Sequence, residues 1–335
     1  MPNKILITGA TGFIGSHLVS FLLERGLPVN RLRLLVSENS SLKFLPKKNF
    51  DILRGDIRNE NFVNKSMDGV ETVYHLAACS GYKGKTDLDY LEVNIDGTQN
   101  LLNACKGKGI QKFVFFSSIA VYGLPAWTGD IINWDENHFK MPSEIYGKSK
   151  LEAEKRVIKA YERWDIPYTI LRPTSVYGPH DTGQLFELYR AIKKQQFITI
   201  GNGKNLMDFV YVKDLVKGAY QAQMYKAKTS DFILAGKKPI TFREIAKVVS
   251  ESINESIQNI YIPKQIALFL SYILDVSGKI IGVKSPFFPS RVRTMTTSYY
   301  YNSNKARSAI GYNPKVSFMQ GANITGKWLI KNKVI

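Results

Sequence analysis

The sequence predicts an α/β fold: a doubly wound parallel sheet followed by a smaller carboxyl-terminal lobe. Three observations predict it. Short, nearly continuous apolar runs alternate with helical patterns through the first half, which suits strands covered on both faces. A glycine-spaced turn lies between the first strand and the first helix. After residue 178 the alternation weakens.

The expected strands are "KILIT" (4–8), "RLRLLV" (31–36), "DIL" (51–53), "TVYHLA" (72–77), "KFVFFS" (112–117) and "YTILRP" (168–173). Helical stretches lie between them at 15–26 and 93–109, with Gly26 and Gly109 as stops. Residues 1–178 form the dinucleotide-type sheet domain, and "DFILAG" (231–236) returns to it as one more strand. Residues 179–335 form mainly the lobe over the carboxyl ends of the strands, where ligands bind in such sheets.

In "ITGATGFIG" the glycines Gly9, Gly12 and Gly15 are spaced by three, a relative of the G-x-G-x-x-G turn. Glycine permits the tight turn and close approach of backbone to a diphosphate. The helix that opens at Phe13, Ile14 and Gly15 offers unpaired N–H groups to that anion. The residue that selects between dinucleotides falls near Ser37, at the end of the second strand. It is neither acid nor base, so the choice stays open between NAD and NADP. The missing acid leans toward NADP.

With 46 Lys+Arg against 28 Asp+Glu the net charge is +18, spread along the whole chain. No zinc-finger spacing and no basic tail accompany it, so no nucleic-acid partner is expected. Cys79 and Cys105 show no metal or redox spacing. No metal is expected, and a cytoplasmic location with reduced thiols is. The block "IALFLSYIL" (266–274) is too short to span a bilayer. It reads first as a buried helix of the lobe. With Lys264, Lys279 and Lys284 around it, the second reading is a peripheral membrane contact through 264–284.

Three Tyr-x-x-x-Lys pairs occur: Tyr146/Lys150, Tyr189/Lys193 and Tyr301/Lys305. A free tyrosine has a pKa near 10, and an ammonium one helical turn away lowers it toward the range of a working base. Tyr189/Lys193 reads as a helix face of the lobe. Tyr301/Lys305 straddles a helix start at Asn302 or Ser303.

Read in order, "TGATGFIG", "GDIRN" (55–59), "HLAA" (75–78), "VNIDGTQNLL" (93–102), "FFSSIAVYG" (115–123), "YGKSK" (146–150), "LRPTSVYGP" (171–179) and "DFVYVKD" (208–214) resemble the extended short-chain dehydrogenase/reductase family. This is also called the NAD-dependent epimerase/dehydratase family. The segment 304–321 resembles its carboxyl-terminal part.

The resemblance implies a Rossmann sheet and an NAD(P)-dependent enzyme with Ser118, Tyr146 and Lys150 catalytic. Tyr146 would be the general acid/base, Lys150 would tune it and bind the nicotinamide ribose, and Ser118 would hold the substrate oxygen. It further implies an adenine site at Asp56 and Ile57, and Leu76, Ala77 and Ala78 along the adenosine and diphosphate. Asn94 and Ser117 would lie near the nicotinamide, and Pro173 against its carboxamide. His75 reads as a satisfied strand-end residue, and His180 stands near the cleft mouth as a substrate candidate.

The pattern departs from the nucleotide-sugar epimerases: Ser175 stands where they carry an Asn, and Met207 where they carry an Arg. Ile119-Ala120 replaces the acid pair of a dehydratase. "RPT" (172–174), the block 266–274 and the ending look more like the 3β-hydroxysteroid dehydrogenase and dihydroflavonol-reductase branch. The first expectation is therefore hydride transfer between NAD(P) and a secondary alcohol or ketone. The alternative is a nucleotide-sugar 4-epimerase that retains its NAD and takes its diphosphate contacts from Arg291 and Arg293. The third is a non-catalytic dinucleotide-binding scaffold. A homodimer through helices including that of Tyr146 is the expected assembly.

Overall fold

The computed structural model describes residues 3–81, 86–123, 133–258, 260–281 and 289–335. Seven parallel strands make the central sheet: β1 (Lys4–Thr8), β2 (Leu32–Val36), β3 (Asp51–Arg54), β4 (Val70–His75), β5 (Lys112–Phe116), β6 (Tyr168–Pro173) and β7 (Thr229–Leu234). Their spatial order is β7-β6-β5-β4-β1-β2-β3. The chain thus winds outward from β1 in one direction, then resumes at β4 on its other side. That reversal opens a crevice at the carboxyl ends of β1 and β4.

The strands are apolar throughout because both faces are covered. In β1, Ile5 and Ile7 enter a core shared with helices Phe13–Glu24 and Val212–Gln223, whereas Leu6 enters the opposite core. In β5, Val114 and Phe116 face the first of these and Phe113 and Phe115 the second. The second core also holds residues of helices Gly97–Cys105 and Ile145–Trp164. A third core, including Leu185, Tyr189, Phe242, Val249 and Leu329, organises the carboxyl-terminal lobe.

Several boundaries differ from the sequence reading for local reasons. The first helix begins at Phe13, capped by Gly12, and stops before Gly26, whose φ is +84°. The expected helix over 93–109 is a π-helical turn, Glu92–Asp96, followed by Gly97–Cys105. The last sheet strand ends at Leu234, because the Gly236 N–H donates to Asp208 instead of the ladder. The strand expected to return beyond 178 is β7, in the central sheet, and the helix Val212–Gln223 also packs into the first core.

The block 266–274 corrects the first reading of it as a buried helix. It lies in the helix Lys264–Ile281, whose inner side carries Ala267 and Ser271. Apart from the half-buried Leu268, its large apolar residues are outside, with Phe269 65% exposed. The inner side packs on the helix Pro289–Thr296 through Val292 and Met295, a contact too narrow to cover it. No described helix is long and apolar enough to cross a membrane. Residues 282–284 of the expected contact lie outside the described residues.

Candidate active site

The glycine turn lies against the end of β4. Gly9 has φ +67°, and a Cβ there would come within 2.8 Å of the Ala77 nitrogen. A Cβ on Gly15 would meet the Gly9 carbonyl oxygen at 2.2 Å. The turn is therefore closed down to bare backbone, with Leu76, Ala77 and Ala78 half-buried along its edge. This backbone cradle opening onto the start of helix Phe13–Glu24 fits a dinucleotide diphosphate.

Tyr146 and Lys150 lie one turn apart on the helix Ile145–Trp164. A Cβ at Gly147 would fall 2.4 Å from the Ala120 carbonyl oxygen. Only glycine lets this helix sit directly on the 3₁₀ turn Ile119–Tyr122 that Ser118 caps. Tyr146 is thereby brought to the Ser118 turn. The Ser118 Oγ accepts the Ala120 N–H at 3.1 Å, which leaves its own proton to donate. The Tyr146 ring is half-buried, edge-on to Tyr90 with centroids 6.5 Å apart. Burial pushes the Lys150 ammonium down to about 7, against an opposing pull from Glu154.

A buried chain of hydrogen bonds joins the two halves of the site. The Thr8 Oγ1 accepts from the N–H groups of Leu76 and Ala77, so its own proton goes to His75 Nδ1, 2.8 Å away. His75 Nε2–H then faces Thr98 Oγ1 at 2.9 Å, and Thr98 donates to the Asn94 carbonyl. The Asn94 side chain donates to Ser149 Oγ at 2.8 Å, and Ser149 donates to the Tyr146 carbonyl. Burial holds the His75 pKa well below its ordinary value, in keeping with the neutral imidazole that this order requires.

Beneath the Tyr146 helix lies a second buried network. The Arg172 guanidinium donates to both oxygens of Glu154, at 2.8 and 2.9 Å, and to Asp231 at 2.7 Å. Burial works against that charge, yet the Glu154 carboxylate keeps the Arg172 pKa raised.

Not every expected contact residue faces the crevice. Ser117 directs its hydroxyl to Glu154 Oε1 at 2.5 Å, and Asn94 is 1% exposed. Both lie behind the site and support it. Asp56 is exposed but held by Arg58, whereas Ile57 is buried against Gly97. Pro173, at the end of β6, is buried and pairs with Leu234. Ser175 is half-buried in a short parallel pair with Phe209. His180 is stacked on Phe44 with centroids 3.9 Å apart, beside His17 and Trp328. Burial, aided by neighbouring positive charge, takes its pKa down to about 4. It packs by the first helix, where Ser16 Oγ lies 3.3 Å from its Nδ1.

Ser37 is exposed at the end of β2, its hydroxyl 2.5 Å from that of Ser40. Arg54, at the end of β3, donates to the carbonyls of Glu38 and Ser40. Sequence reasoning missed this arginine. Its signal is its place directly before "GDIRN" (55–59), at a strand end beside the selecting loop.

The other two Tyr/Lys pairs have separate uses. Tyr189 is buried and donates to the Ala322 carbonyl. Tyr301 lies in a short strand before the helix that begins at Asn304, and Lys305 pairs with Asp231.

Residues 5–232 match the model of the NAD-dependent epimerase/dehydratase family. The chain belongs to that family. It is 28% identical to an N-acetyl-α-D-glucosaminyl-diphospho-ditrans,octacis-undecaprenol 4-epimerase of Escherichia coli O157:H7, over 97% of this chain and 95% of the relative. It is 30% identical to a decarboxylating sterol-4-α-carboxylate 3-dehydrogenase of Mus musculus, over 96% of this chain and 90% of that one. The structure of a Bacillus cereus UDP-glucuronic acid 4-epimerase in complex with NAD superposes with a TM-score of 0.79 at 25% identity. That match covers 98% of this chain and 99% of the other. As a family member with such relatives, the protein is an NAD-dependent oxidoreductase or epimerase of the extended short-chain dehydrogenase/reductase type.

Proposed function

We propose that the protein oxidises a secondary alcohol, or reduces the matching ketone, on a small-molecule substrate with a large apolar part. The observation that supports the reading is the Gly147 contact, which packs the helix of Tyr146 and the buried Lys150 on the turn that Ser118 caps. When bound, a nicotinamide supplies the hydride acceptor or donor. Ser118 donates to the substrate oxygen, Tyr146 takes the hydroxyl proton, and a charged Lys150 favours the phenolate. In the oxidising direction the alcohol loses a hydride and a proton and leaves as the ketone.

Gly9, Gly12 and Gly15, with Phe13 and Ile14, fit the diphosphate, and Leu76, Ala77 and Ala78 the adenosine edge. Arg54 beside Ser37 supports a 2′-phosphate there, and hence NADP. The apolar substrate class is supported by the buried Met207 in the place of an anion contact, and by the undecaprenol and sterol named for the relatives.

The second reading is a 4-epimerase that keeps its NAD. The Escherichia coli and Bacillus cereus 4-epimerases favour it. Of its suggested diphosphate contacts, Arg293 donates to the Tyr272 hydroxyl at 2.8 Å, while the Arg291 side chain lies outside the described residues. A cytoplasmic location and a homodimer through the helix Ile145–Trp164 complete the reading.

Absorbance and fluorescence of the purified protein test it. Protein that comes without nicotinamide and turns over added NADP or NAD with apolar secondary alcohols supports the dehydrogenase. Tightly retained NAD with no net redox turnover supports the epimerase. Tyr146→Phe should lower kcat by about 10³-fold with cofactor binding kept; near-normal turnover would overturn the assignment.

A further inference from the structure

The helix Lys264–Ile281 is turned inside out for a surface helix. At 100° per residue, Ile266, Phe269, Leu270, Ile273, Leu274 and Val276 share an outer arc about 160° wide, and all six are exposed. The inner side holds the small residues Ala267 and Ser271, together with the half-buried Asp275. None of the exposed positions from 265 to 276 is charged. Exposed Ile260 and Tyr261 extend the apolar surface on the segment leading into the helix. So large a contiguous apolar face marks a docking surface.

We propose that this helix lies in the interface of an anionic phospholipid bilayer and docks the protein there. Charge selects the occupant. The protein carries +18, which attracts it to an anionic leaflet. Lys264 opens the helix, and Arg293 stands beside it, bonded to Tyr272. A helix of 18 residues is about 27 Å long and sits flat at such a surface, and no described helix crosses. Relatives over nearly the full length act, by their names, on an undecaprenol-linked sugar and on sterols, which are membrane lipids. The docking rests on the helix and the charge. That the substrate is drawn from the same bilayer rests also on the apolar substrate proposed above.

Vesicle flotation without substrate tests the docking by itself, so its result is independent of which alcohol, if any, is oxidised. The full-length protein should float with phosphatidylcholine vesicles containing about one third phosphatidylglycerol, less with pure phosphatidylcholine, and less again when salt is raised. Phe269→Glu combined with Ile273→Glu should lower vesicle binding at least tenfold (about 1.4 kcal/mol), with cofactor binding unchanged. Light scattering reads the competing occupant. Wild type that ignores vesicles, and whose dimer falls to monomer in the double variant, would make the face an interface between copies and overturn the proposal.

Should the double variant fail to fold, an environment-sensitive dye on Ile273→Cys gives the same answer. Both native cysteines are buried, so the label goes to residue 273. A blue shift with anionic vesicles supports docking, and an unchanged spectrum overturns it.

Discussion

The Lys150 ammonium nitrogen lies 4.4 Å from the centre of the Phe115 ring, closed off from solvent. The ring face attracts the cation, but loss of water outweighs it, and burial takes the Lys150 pKa to about 7 from 10.5. The unfolded chain therefore holds more protons than the folded one between these values, and stability rises with pH across that window. The slope approaches about 1.4 kcal/mol per pH unit. Lys150→Met should flatten this dependence in the cofactor-free protein. Urea unfolding at pH 7, 8 and 9 checks it, with equal slopes in both proteins as the contrary result.

Gly147→Ala places a methyl group against the Ala120 carbonyl, 2.4 Å away, and against Pro142. The helix must lift from the turn that carries Ser118. We expect kcat to fall about 10²-fold, since small displacements at a reacting centre are costly, while the Kd for NAD(P) holds. Steady-state kinetics and cofactor titration separate the two.

Arg54 is the cation beside Ser37, through its bonds to the Glu38 and Ser40 carbonyls. Arg54→Ala should raise KM for NADP about tenfold and leave KM for NAD within about twofold, as expected for loss of one phosphate contact. Equal changes for both cofactors would remove Arg54 from the selection.

Glu154→Leu strands the Arg172 guanidinium, which is 2% exposed and retains Asp231 as its remaining carboxylate. The loss should be about 3–5 kcal/mol by denaturant unfolding. Pairing it with Arg172→Met should recover most of that loss. The single variant should also depress the Lys150 pKa further, because Glu154 is the charge that raises it.

The sheet was legible because strands such as Lys112–Phe116 are apolar at successive positions, which only cover on both faces explains. The helix pair of Tyr146 and Lys150 was legible from order along the chain. Neighbouring strand-end residues were harder. Ser117 and Ser118 look alike in sequence, but alternation turns the first inward to Glu154. Asn94 reads as a crevice residue until the π turn carrying it is seen to join Cys79 and Ser149. Arg54 is one of 46 basic residues, and only the fold puts it at the Ser37 loop. Composition shows that 266–274 is apolar, but whether anything covers it depends on how much of a neighbour the fold supplies.

The buried chain from Thr8 through His75, Thr98 and Asn94 to Ser149 has a fixed polarity, each link donating in the same sense. It ends on the Tyr146 carbonyl. It is thus a strut: it ties the backbone of the tyrosine to the glycine turn, so that the two halves of the site keep one spacing.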